Sequence, residues 1–415
     1  MRRASAAWAV AVLIAVAATP SFGGELEVLH WWVGGGEANA AQFLKGTLQA
    51  RGHKWKDFAV AGSGDATMAV LKSRVQAGSG PAVAQMKGPA LQDWARQGAL
   101  AGIDDVAKAE KWDALLPKVV ADTMKYRGSY VAVPVDVHRV NGLWVNAQVL
   151  RRAGAKLPTT WDEFFATAEA LKKAGVVAVA HGGQSWQDFT TFEAVALGVG
   201  GVEFYRKALV KLDRATLLGP TMEKVLRTFK RIKPYTDGNS PGRDWNLSTA
   251  MVIRGEAGMQ ITGDWAKGEF IDAGKLPGRD FLCAPVPGGS KAFSFNIDSF
   301  AMFKLKKDAD IQAQKDFAAA VMAPDFQELF SRSNGSIPVR LGVRMDRFDD
   351  CARQSARDFA AAAAADALVP SIAHGMAVPA AAENAIKEAV SQFWNNDAMS
   401  ARQAMEKIAG AAAIR

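Results

Sequence analysis

The stretch LEVLHWWVGGGE, from Leu26 to Glu37, decides how the start of this chain folds. A short apolar strand runs into two adjacent tryptophans, three glycines and a carboxylate. Because neighbouring side chains on a strand point to opposite sides, Trp31 and Trp32 cannot both fill one core, and we expect at least one to face a cleft. A flat indole suits the apolar face of a sugar ring. The alternative to ligand contact is that one tryptophan is buried and the other lies at the edge of the core, while the glycines only turn the chain.

The residues before this strand have the three zones of a secretory signal. Arg2 and Arg3 carry the charge, Ala6 to Ala18 form an apolar core too short to span a bilayer, and Ser21-Phe22-Gly23 is a small-x-small cleavage site. We therefore predict a signal peptide over residues 1–23, cleaved near Gly23, and a periplasmic protein. An uncleaved anchor is the alternative, disfavoured by the short apolar core.

The composition narrows the classes of partner. The 50 Lys and Arg against 42 Asp and Glu give a formal charge of +8, which falls to +6 without the two signal arginines. These cations are scattered, with no basic run interleaved with aromatics, so we expect no nucleic-acid partner.

A mature chain of about 390 residues is too long for one compact core, so we expect two lobes. Twelve tryptophans against four tyrosines indicate that several tryptophans do more than pack.

Cys283 and Cys351 are the only cysteines. An even count in an oxidising compartment predicts a disulfide. It would close a loop of more than sixty residues, which the chain-entropy model values at about 4 kcal/mol. The five histidines are scattered without metal-ligand spacing, so we predict neither a metal nor a cofactor.

Strands and helices alternate, which predicts a parallel α/β fold with ligand groups in loops at the carboxyl ends of strands. In PTTWDE, from Pro158 to Glu163, Thr160 can cap a helix and Glu163 can complete a capping box. A second α/β unit thus begins after residue 135. Periodicity and stop signals predict helices over 37–51, 65–77, 161–174, within 313–331, 360–365 and 380–390, and strands over 57–61, 82–86, 176–180 and 295–304.

Eight segments stand out in order along the mature chain: LHWWVGGGE (29–37), QMKGP (85–89), PVDVHRVNGLWVN (134–146), PTTWDEF (158–164), GDWAKGEF (263–270), FNIDSFAMFK (295–304), NGSIPVR (334–340) and SIAHGMAVP (371–379). Together they resemble an extracellular solute-binding protein of a carbohydrate ABC transporter, closest to the glucose- and mannose-binding branch. The resemblance implies two α/β lobes joined by hinge crossovers, which close on a sugar in the cleft between them. It also implies a monomer that delivers a monosaccharide to the permease subunits of an ABC importer in the inner membrane.

We assign residues 24–137 plus 290–340 to the amino-terminal lobe and residues 138–289 plus 341–415 to the carboxyl-terminal lobe. The ligand contacts that the resemblance implies are Trp31, Trp32, Glu37, Lys87, Trp245, Trp265, Asp298, Asn334 and His374. A second set of candidates is Gln85, His138, Trp186, Asp264, Asn296 and Arg340.

Structural roles compete with ligand contact at several of these positions. Glu37 and Asp264 could only cap helices, Lys87 could be a solvated loop lysine, and His374 could be a satisfied structural histidine. His138 and Trp186 could only brace the hinge. Trp245 lies in a Gly/Pro/Asn-rich loop where a core role is less natural. Asp298 interrupts an apolar strand, with Asn296 on its side, so it must find hydrogen bonds or a ligand.

Position 334 departs from the family pattern, in which a lysine stands before GSIPVR. Here Asn334 keeps donors and an acceptor but loses charge and reach. We therefore expect weaker glucose binding or a different preferred sugar, unless Arg332 or Arg340 compensates.

Several functions remain open from the residues alone. Glu37 and Asp298 could form the carboxylate pair of a glycosidase, although no other catalytic motif accompanies them. The chain could present a ligand to a chemoreceptor, or bind a disaccharide, another hexose or pentose, or a polyol. We predict a non-catalytic binder with glucose as the leading ligand and mannose next.

Overall fold

The structure is a computed structural model that describes residues 23–33, 35–61 and 64–414. The predicted signal peptide lies outside the described residues, apart from Gly23. None of the helices in the described ranges combines the length and apolar content needed to cross a bilayer.

The strands of the described residues, in chain order, are β1 Glu25–His30, β2 Lys54–Ala59, β3 Val83–Met86, β4 Lys125–Tyr126, β5 Ser129–Tyr130, β6 Ala132–Arg139, β7 Gly142–Asn146, β8 Val177–Val179, β9 Ala257–Ile261, β10 Phe281–Pro285, β11 Phe293–Met302, β12 Ile337–Pro338 and β13 Leu368–Pro370.

The helices are α1 Gly35–Ala50, α2 Gly64–Gln76, α3 Gly88–Arg96, α4 Asp104–Ala109, α5 Trp112–Leu115, α6 Lys118–Thr123, α7 Ala147–Arg152, α8 Trp161–Lys173, α9 Ser185–Tyr205, α10 Arg214–Leu217, α11 Pro220–Ile232, α12 Trp245–Arg254, α13 Ala266–Asp272, α14 Asp308–Met322, α15 Pro324–Asn334, α16 Asp350–Ala364, α17 Ala380–Asn395 and α18 Ala401–Ala411. A π-helical turn, Arg206–Val210, and a 3-10 turn, Lys233–Tyr235, follow α9 and α11.

The elements predicted from periodicity are present, and the local signals explain their ends. Thr160 and Glu163 form the predicted capping box at the start of α8. The helical region 313–331 is two helices, because Pro324 has no N–H to continue α14 and instead starts α15. Trp245 is the first residue of α12 and not part of a loop, since Asp244 precedes it in an extended conformation as N-cap.

The first sheet has the order β12-β6-β11-β3-β1-β2, with β13 paired to β11. β1 is parallel to both β2 and β3, whereas β11 returns antiparallel between β3 and β6. The carboxyl ends of β1 and β3 therefore bring Trp31 and Lys87 to one edge. Asp298 on β11 lies opposite Asp136 on β6, and Asn296 lies opposite His138. Directly opposed residues share a face, so the four polar side chains gather on one side of the sheet.

The second sheet has the order β10-β7-β9-β8, and β8 and β9 are parallel. Two chain crossovers join it to the first sheet, one between β6 and β7 and one between β10 and β11. Asn141 ties them together: its Nδ2 donates to Ala292 O at 3.2 Å, and its Oδ1 accepts from Ser294 N at 3.0 Å. The hinge strands are thus held side by side by this buried amide together with backbone bonds from Val140 N to Ser294 O at 2.8 Å and from Val286 N to Asn141 O at 3.0 Å.

Two large hydrophobic cores define the lobes. The first takes its residues mainly from β1 to β6 and from β11 to β12, and the second mainly from β7 to β9 and from α17 and α18. Part of the segment 341–415 packs on the first core: Phe359 and Ala362 of α16, and Ala367 after it, belong to that cluster, with the Phe359 ring centroid 5.2 Å from that of Phe293.

The predicted disulfide is confirmed: Cys283 on β10 is bonded to Cys351 in the first turn of α16. It links the second sheet to a helix whose far end packs on the first lobe. The two cysteines are separated by 68 residues in the sequence. Most of the stabilisation that the disulfide gives therefore comes from restricting the unfolded chain.

We expect the double variant Cys283→Ser, Cys351→Ser to lose about 4 kcal/mol of unfolding free energy, because the chain-entropy model assigns that value to a loop of this length. Urea unfolding would measure the loss, and wild-type protein treated with a thiol reductant should behave like the double variant. Two free thiols titrated in freshly isolated, unreduced protein would contradict the bond.

Candidate functional site

A cavity of about 560 Å³ lies between the two lobes. Its wall includes ten of the residues singled out from the sequence: Trp31, Glu37, Lys87, His138, Trp186, Trp245, Trp265, Asn296, Asp298 and His374. These come from the first sheet, from the loops after β1, β3 and β9, from α1, α9 and α12, and from the segment after β13, so the cavity exists only when the two lobes face each other.

The edge of the first sheet supplies a cation, an anion and an aromatic face. Lys87 follows β3, and its Nζ lies 2.9 Å from Asp298 Oδ1 and 4.9 Å from the ring centroid of Trp31. The backbone N–H of Trp31 donates to Gln85 Oε1 at 3.1 Å, which anchors the loop that carries the indole. Lys87 is therefore held in a fixed position and is not a mobile solvated side chain.

His138 is surrounded by three buried carboxylates. Its Nε2 lies 3.1 Å from Asp136 Oδ2 and 3.5 Å from Asp298 Oδ2, and its Nδ1 contacts Asp264 of the second lobe. Burial by itself would lower the pKa of His138, but Asp136 and Asp264 raise it well above its ordinary value. The ring is thus an imidazolium that neutralises part of the surrounding negative charge.

Asp298 stays ionised in this setting. Burial would raise its pKa, but the positive charges of Lys87 and His138 outweigh that effect and hold the pKa of Asp298 well below its usual range. Asp264, which also accepts from Arg139 N at 2.9 Å, has its pKa raised by burial.

Glu37 behaves in the opposite way to Asp298. Burial, followed by repulsion from Asp298, raises the pKa of Glu37 to about 8, so it is a neutral acid at pH 7. The positive charges of Lys87 and His138 are already matched by nearby aspartates, and a further anion would be unbalanced. Glu37 can therefore donate a hydrogen bond to a ligand from its O–H and accept one at its carbonyl oxygen.

The second lobe contributes an aromatic wall. The ring centroids of Trp265 and Trp186 are 6.3 Å apart, and His374 lies 4.8 Å from Trp265 and 5.7 Å from Trp186. Burial and the cations Lys87 and Lys387 lower the pKa of His374 well below its ordinary value, so its ring is neutral. Thr190 Oγ1 donates to Trp186 O at 2.8 Å and lies 3.1 Å from His374 Nε2. Because the Thr190 hydroxyl proton is used by Trp186 O, Thr190 Oγ1 accepts the hydrogen bond from His374. His374 Nε2 therefore carries the proton, and His374 Nδ1 is an acceptor.

Three residues that line the cavity carry a buried side-chain atom without a hydrogen-bond partner among the described residues: Trp265 Nε1, a donor, and the acceptors Asn296 Oδ1 and Asp298 Oδ1. Of these, Asp298 Oδ1 has an ion-pair partner in Lys87. Because a buried, unpaired polar group costs about 1–3 kcal/mol, such atoms are normally satisfied by a ligand or by water. The wall is thus suited to a ligand that carries both hydroxyl donors and acceptors.

Five of the predicted ligand residues do not reach the cavity wall. Trp32 is in the first core, with its ring 5.4 Å from Phe300 and 4.8 Å from Phe330, because its side chain points opposite to Trp31. Gln85 is buried behind the Trp31 loop. Arg340 donates to Met322 O at 3.1 Å, away from the cleft.

Asn334 and Asp264 lie one layer behind the wall. Asn334 ends α15 and donates to Asp136 Oδ2 at 2.9 Å, so its side chain supports the His138 cluster and is not part of the cavity wall. Asp264 is not the N-cap of α13, since Trp265 occupies that position without a side-chain cap. Its carboxylate is used instead by His138 and Arg139.

Charged residues of two helices were missed by the sequence reasoning. The cavity wall takes Asp65, Met68, Ala69 and Lys72 from α2, and Ala380, Glu383, Asn384 and Lys387 from α17. Lys387 Nζ lies 3.0 Å from Asp65 Oδ2 and 2.9 Å from Glu383 Oε1. Both sets have the i, i+3, i+4, i+7 spacing of one helix face. This spacing is visible in the sequence and could have predicted that each set lies on a common surface. Asp244 and Asn246, beside Trp245, also line the cavity.

Asp136, His138 and Asp298 are close enough to hold a metal, with ligand atoms within 4.8 Å of one another. Their charges already have partners, because Lys87 pairs with Asp298 and Asn334 donates to Asp136. A dication would have to displace a neighbouring ammonium group. The cluster is better described as a balanced set of buried charges.

The fold and the cleft define a two-lobed binding protein, and comparison with known proteins agrees. A family model described as "Bacterial extracellular solute-binding protein" matches residues 37–328. The chain is 43% identical over 416 residues, covering 100% of both proteins, to a "Probable sugar-binding periplasmic protein" of Rhizobium meliloti (strain 1021). This chain belongs to the bacterial extracellular solute-binding proteins.

A "Glucose-binding protein" of Saccharolobus solfataricus is 26% identical over 254 residues, which cover 57% of this chain and 45% of that protein. A solved "Chitin oligosaccharide binding protein" has a TM-score of 0.79 and 20% identity, and covers 93% of this chain and 97% of that one. The two-lobed α/β fold predicted from the sequence is confirmed. Family membership also confirms that the chain is a binding protein and not an enzyme.

We expect Glu37→Gln to remove a pH dependence of stability. In wild type the folded-state pKa of about 8 exceeds the ordinary value of 4.5, so the folded protein binds more protons than the unfolded chain between these values. The free energy of unfolding should fall as pH rises across that window and level off above pH 8. The glutamine variant should lack this one-proton contribution.

Urea unfolding at pH 5 to 9 would measure the slope of the unfolding free energy against pH for wild type and for Glu37→Gln. Glu203→Gln is the control, because Glu203 is an exposed residue of α9 whose pKa is lowered by Lys207. Its removal should leave the slope between pH 6 and 9 unchanged. Identical slopes in wild type and Glu37→Gln would show that Glu37 is ionised at neutral pH.

Proposed function

We propose that the cleft captures a monosaccharide, with glucose as the leading ligand and mannose next, and that this monomeric periplasmic protein delivers it to an ABC importer in the inner membrane. The composition of the cavity wall carries the proposal. Trp31 and Trp265 offer indole faces from opposite lobes, and Lys87, Asp298 and Glu37 offer a cation, an anion and a neutral acid. A pyranose ring has apolar faces and a rim of hydroxyls, which matches this arrangement.

The unpartnered atoms support the same ligand class. A sugar hydroxyl both donates and accepts, so one hydroxyl can accept from Trp265 Nε1 and another can donate to Asn296 Oδ1. Asp298 has a second lone-pair direction on each oxygen beyond the one used by Lys87 or His138. These contacts would hold the ring by groups that are already rigid, which limits the entropy lost on binding.

The relatives point the same way. The Rhizobium protein, aligned over the whole chain, is named as a probable sugar-binding periplasmic protein, which supports a sugar ligand and a periplasmic location. The more distant protein of Saccharolobus is named for glucose, which supports glucose as the first sugar to test.

The lobes have the connections that hinge closure requires. Crossovers beside Asn141 form a narrow link, and Lys387 of α17 reaches Asp65 of α2 across the cleft. A ligand that contacts Trp31 on one lobe and Trp265 on the other would favour the closed arrangement by its differential binding.

A disaccharide is a second candidate ligand, favoured by the size of the cavity. A volume of about 560 Å³ corresponds to roughly 19 water molecules of ~30 Å³ each. A hexose has twelve non-hydrogen atoms and would leave space toward Asp65 and Glu383. The second ring of a disaccharide could occupy that space.

Calorimetric titration against glucose, mannose, galactose, xylose, cellobiose and sorbitol would test the ligand. We expect glucose to bind more tightly than the other sugars, and Trp31→Ala to weaken it about fivefold, because an aromatic face is worth roughly 1 kcal/mol beyond its buried area. Trp94→Ala is the matched control, since Trp94 is a half-buried tryptophan of the same lobe that does not line the cavity. Tighter binding of cellobiose would favour the disaccharide, and no binding across the panel would refute a sugar ligand of these classes.

We also expect binding without chemistry. Asp298, whose pKa lies well below its usual range, cannot serve as a general acid, and it is paired with Lys87. Glucose and nitrophenyl glucosides should be recovered unchanged after incubation. Release of nitrophenol that is abolished by Glu37→Gln or Asp298→Asn would contradict this expectation.

A further inference from the structure

Glu193 is a buried carboxylate in the middle of α9, behind the aromatic wall of the cleft. No cation pairs with it among the described residues. Its Oε2 instead accepts from the backbone N–H of Ile372 at 3.0 Å and of Ala373 at 3.2 Å, and its Oε1 accepts from Ser371 Oγ. The Tyr205 hydroxyl lies 2.9 Å from Oε2. Four donors from two segments thus converge on one side chain.

The residues that Glu193 holds lead directly into the cavity wall. Ala373 and His374 both line the cavity, and Ser371 N bonds to Phe295 O at 2.9 Å, beside the polar face of β11. On α9, Trp186, Thr190 and Glu193 have the i, i+4, i+7 spacing of one helix face. That face touches the segment three times: Trp186 packs on the His374 ring, Thr190 bonds to His374 Nε2, and Glu193 holds the backbone just before it.

We propose that Glu193 is a positioning residue of the binding site: by fixing residues 371–373 it sets the place and ring orientation of His374, and thereby the affinity for the sugar. The affinity part of this inference rests on the proposed function. Burial raises the pKa of Glu193 to about 7, and the converging donors act against that rise, so the donors stabilise its charged form. A glutamine has one acceptor oxygen and would present an NH2 group to donors that need an acceptor.

A structural carboxylate elsewhere in α9 offers a matched control. Asp188 is also buried, and it accepts from His181 Nε2 at 2.8 Å and from Ser391 Oγ at 2.6 Å. Neither of those partners lines the cavity. Asp188→Asn should therefore disturb the packing of the same helix without moving the segment that ends at His374.

The test combines an unliganded and a liganded measurement. Imidazole 15N–1H spectra of the unliganded protein, assigned with His374→Gln, report the ring of His374 directly. We expect Glu193→Gln to shift the His374 signals and to weaken the tightest-binding sugar of the panel at least tenfold. Asp188→Asn should leave the His374 signals unchanged and the affinity within twofold of wild type. This should hold even if Asp188→Asn lowers the unfolding midpoint as much as Glu193→Gln does.

Folded Glu193→Gln protein with unchanged His374 signals and unchanged affinity would overturn the proposal. Should Glu193→Gln fail to fold, Ser371→Ala removes one donor to the carboxylate and must still shift His374 and weaken binding about threefold; no change there would overturn it equally. If wild type binds no sugar, the proposed function fails, but the spectra of the unliganded variants still decide whether Glu193 positions His374.

Discussion

His138 stands where β6 leaves the first lobe, and its charged ring lies between Asp136 and Asp298 of the first sheet and Asp264 of the second lobe. The cleft depends on this cluster because it joins the two lobes at the floor of the cavity. Buried charges that are paired in this way contribute little net stability, but removal of one partner leaves an unpaired charge at a cost of about 3–5 kcal/mol. The geometry of the cluster is therefore tightly constrained.

The charges of the other polar groups on the wall follow from this cluster. Burial, and after it repulsion from Asp298, raises the pKa of Glu37 so that it keeps its proton at neutral pH, while Lys87 pairs with Asp298. His374 lies near cations and is neutral for that reason as well as through burial. Around the cluster, the wall thus presents Asp298 as an anion, Lys87 and His138 as cations, Glu37 as a neutral acid and His374 as a neutral imidazole. Such an array recognises the uncharged hydroxyls of a ligand by direction, and it requires no proton transfer.

The connections between the lobes are of different strengths. Asn141 binds the two crossovers to each other by buried hydrogen bonds, and the disulfide of Cys283 fastens the second sheet to α16 covalently. The ion pair between the buried Lys387 and the half-exposed Asp65 is a noncovalent contact between a helix of each lobe, and Lys387 keeps Glu383 as a second partner. A hinge that opens by separating Lys387 from Asp65 while its crossovers stay paired is consistent with these contacts.

Local patterns in the sequence were enough to predict the α/β alternation and the capping box of Thr160, because these follow from rules that act over a few residues. The disulfide followed from the even cysteine count, and the cleft positions of Trp31, Lys87 and Asp298 were implied by the resemblance to carbohydrate-binding proteins. Only the tertiary structure placed Trp32 in the core and Asn334 behind the wall, because which side of a strand or helix is buried depends on its neighbours in space. It alone brought Asp65 to Lys387, 322 residues later in the chain, since two helix faces meet only after the lobes pack against each other.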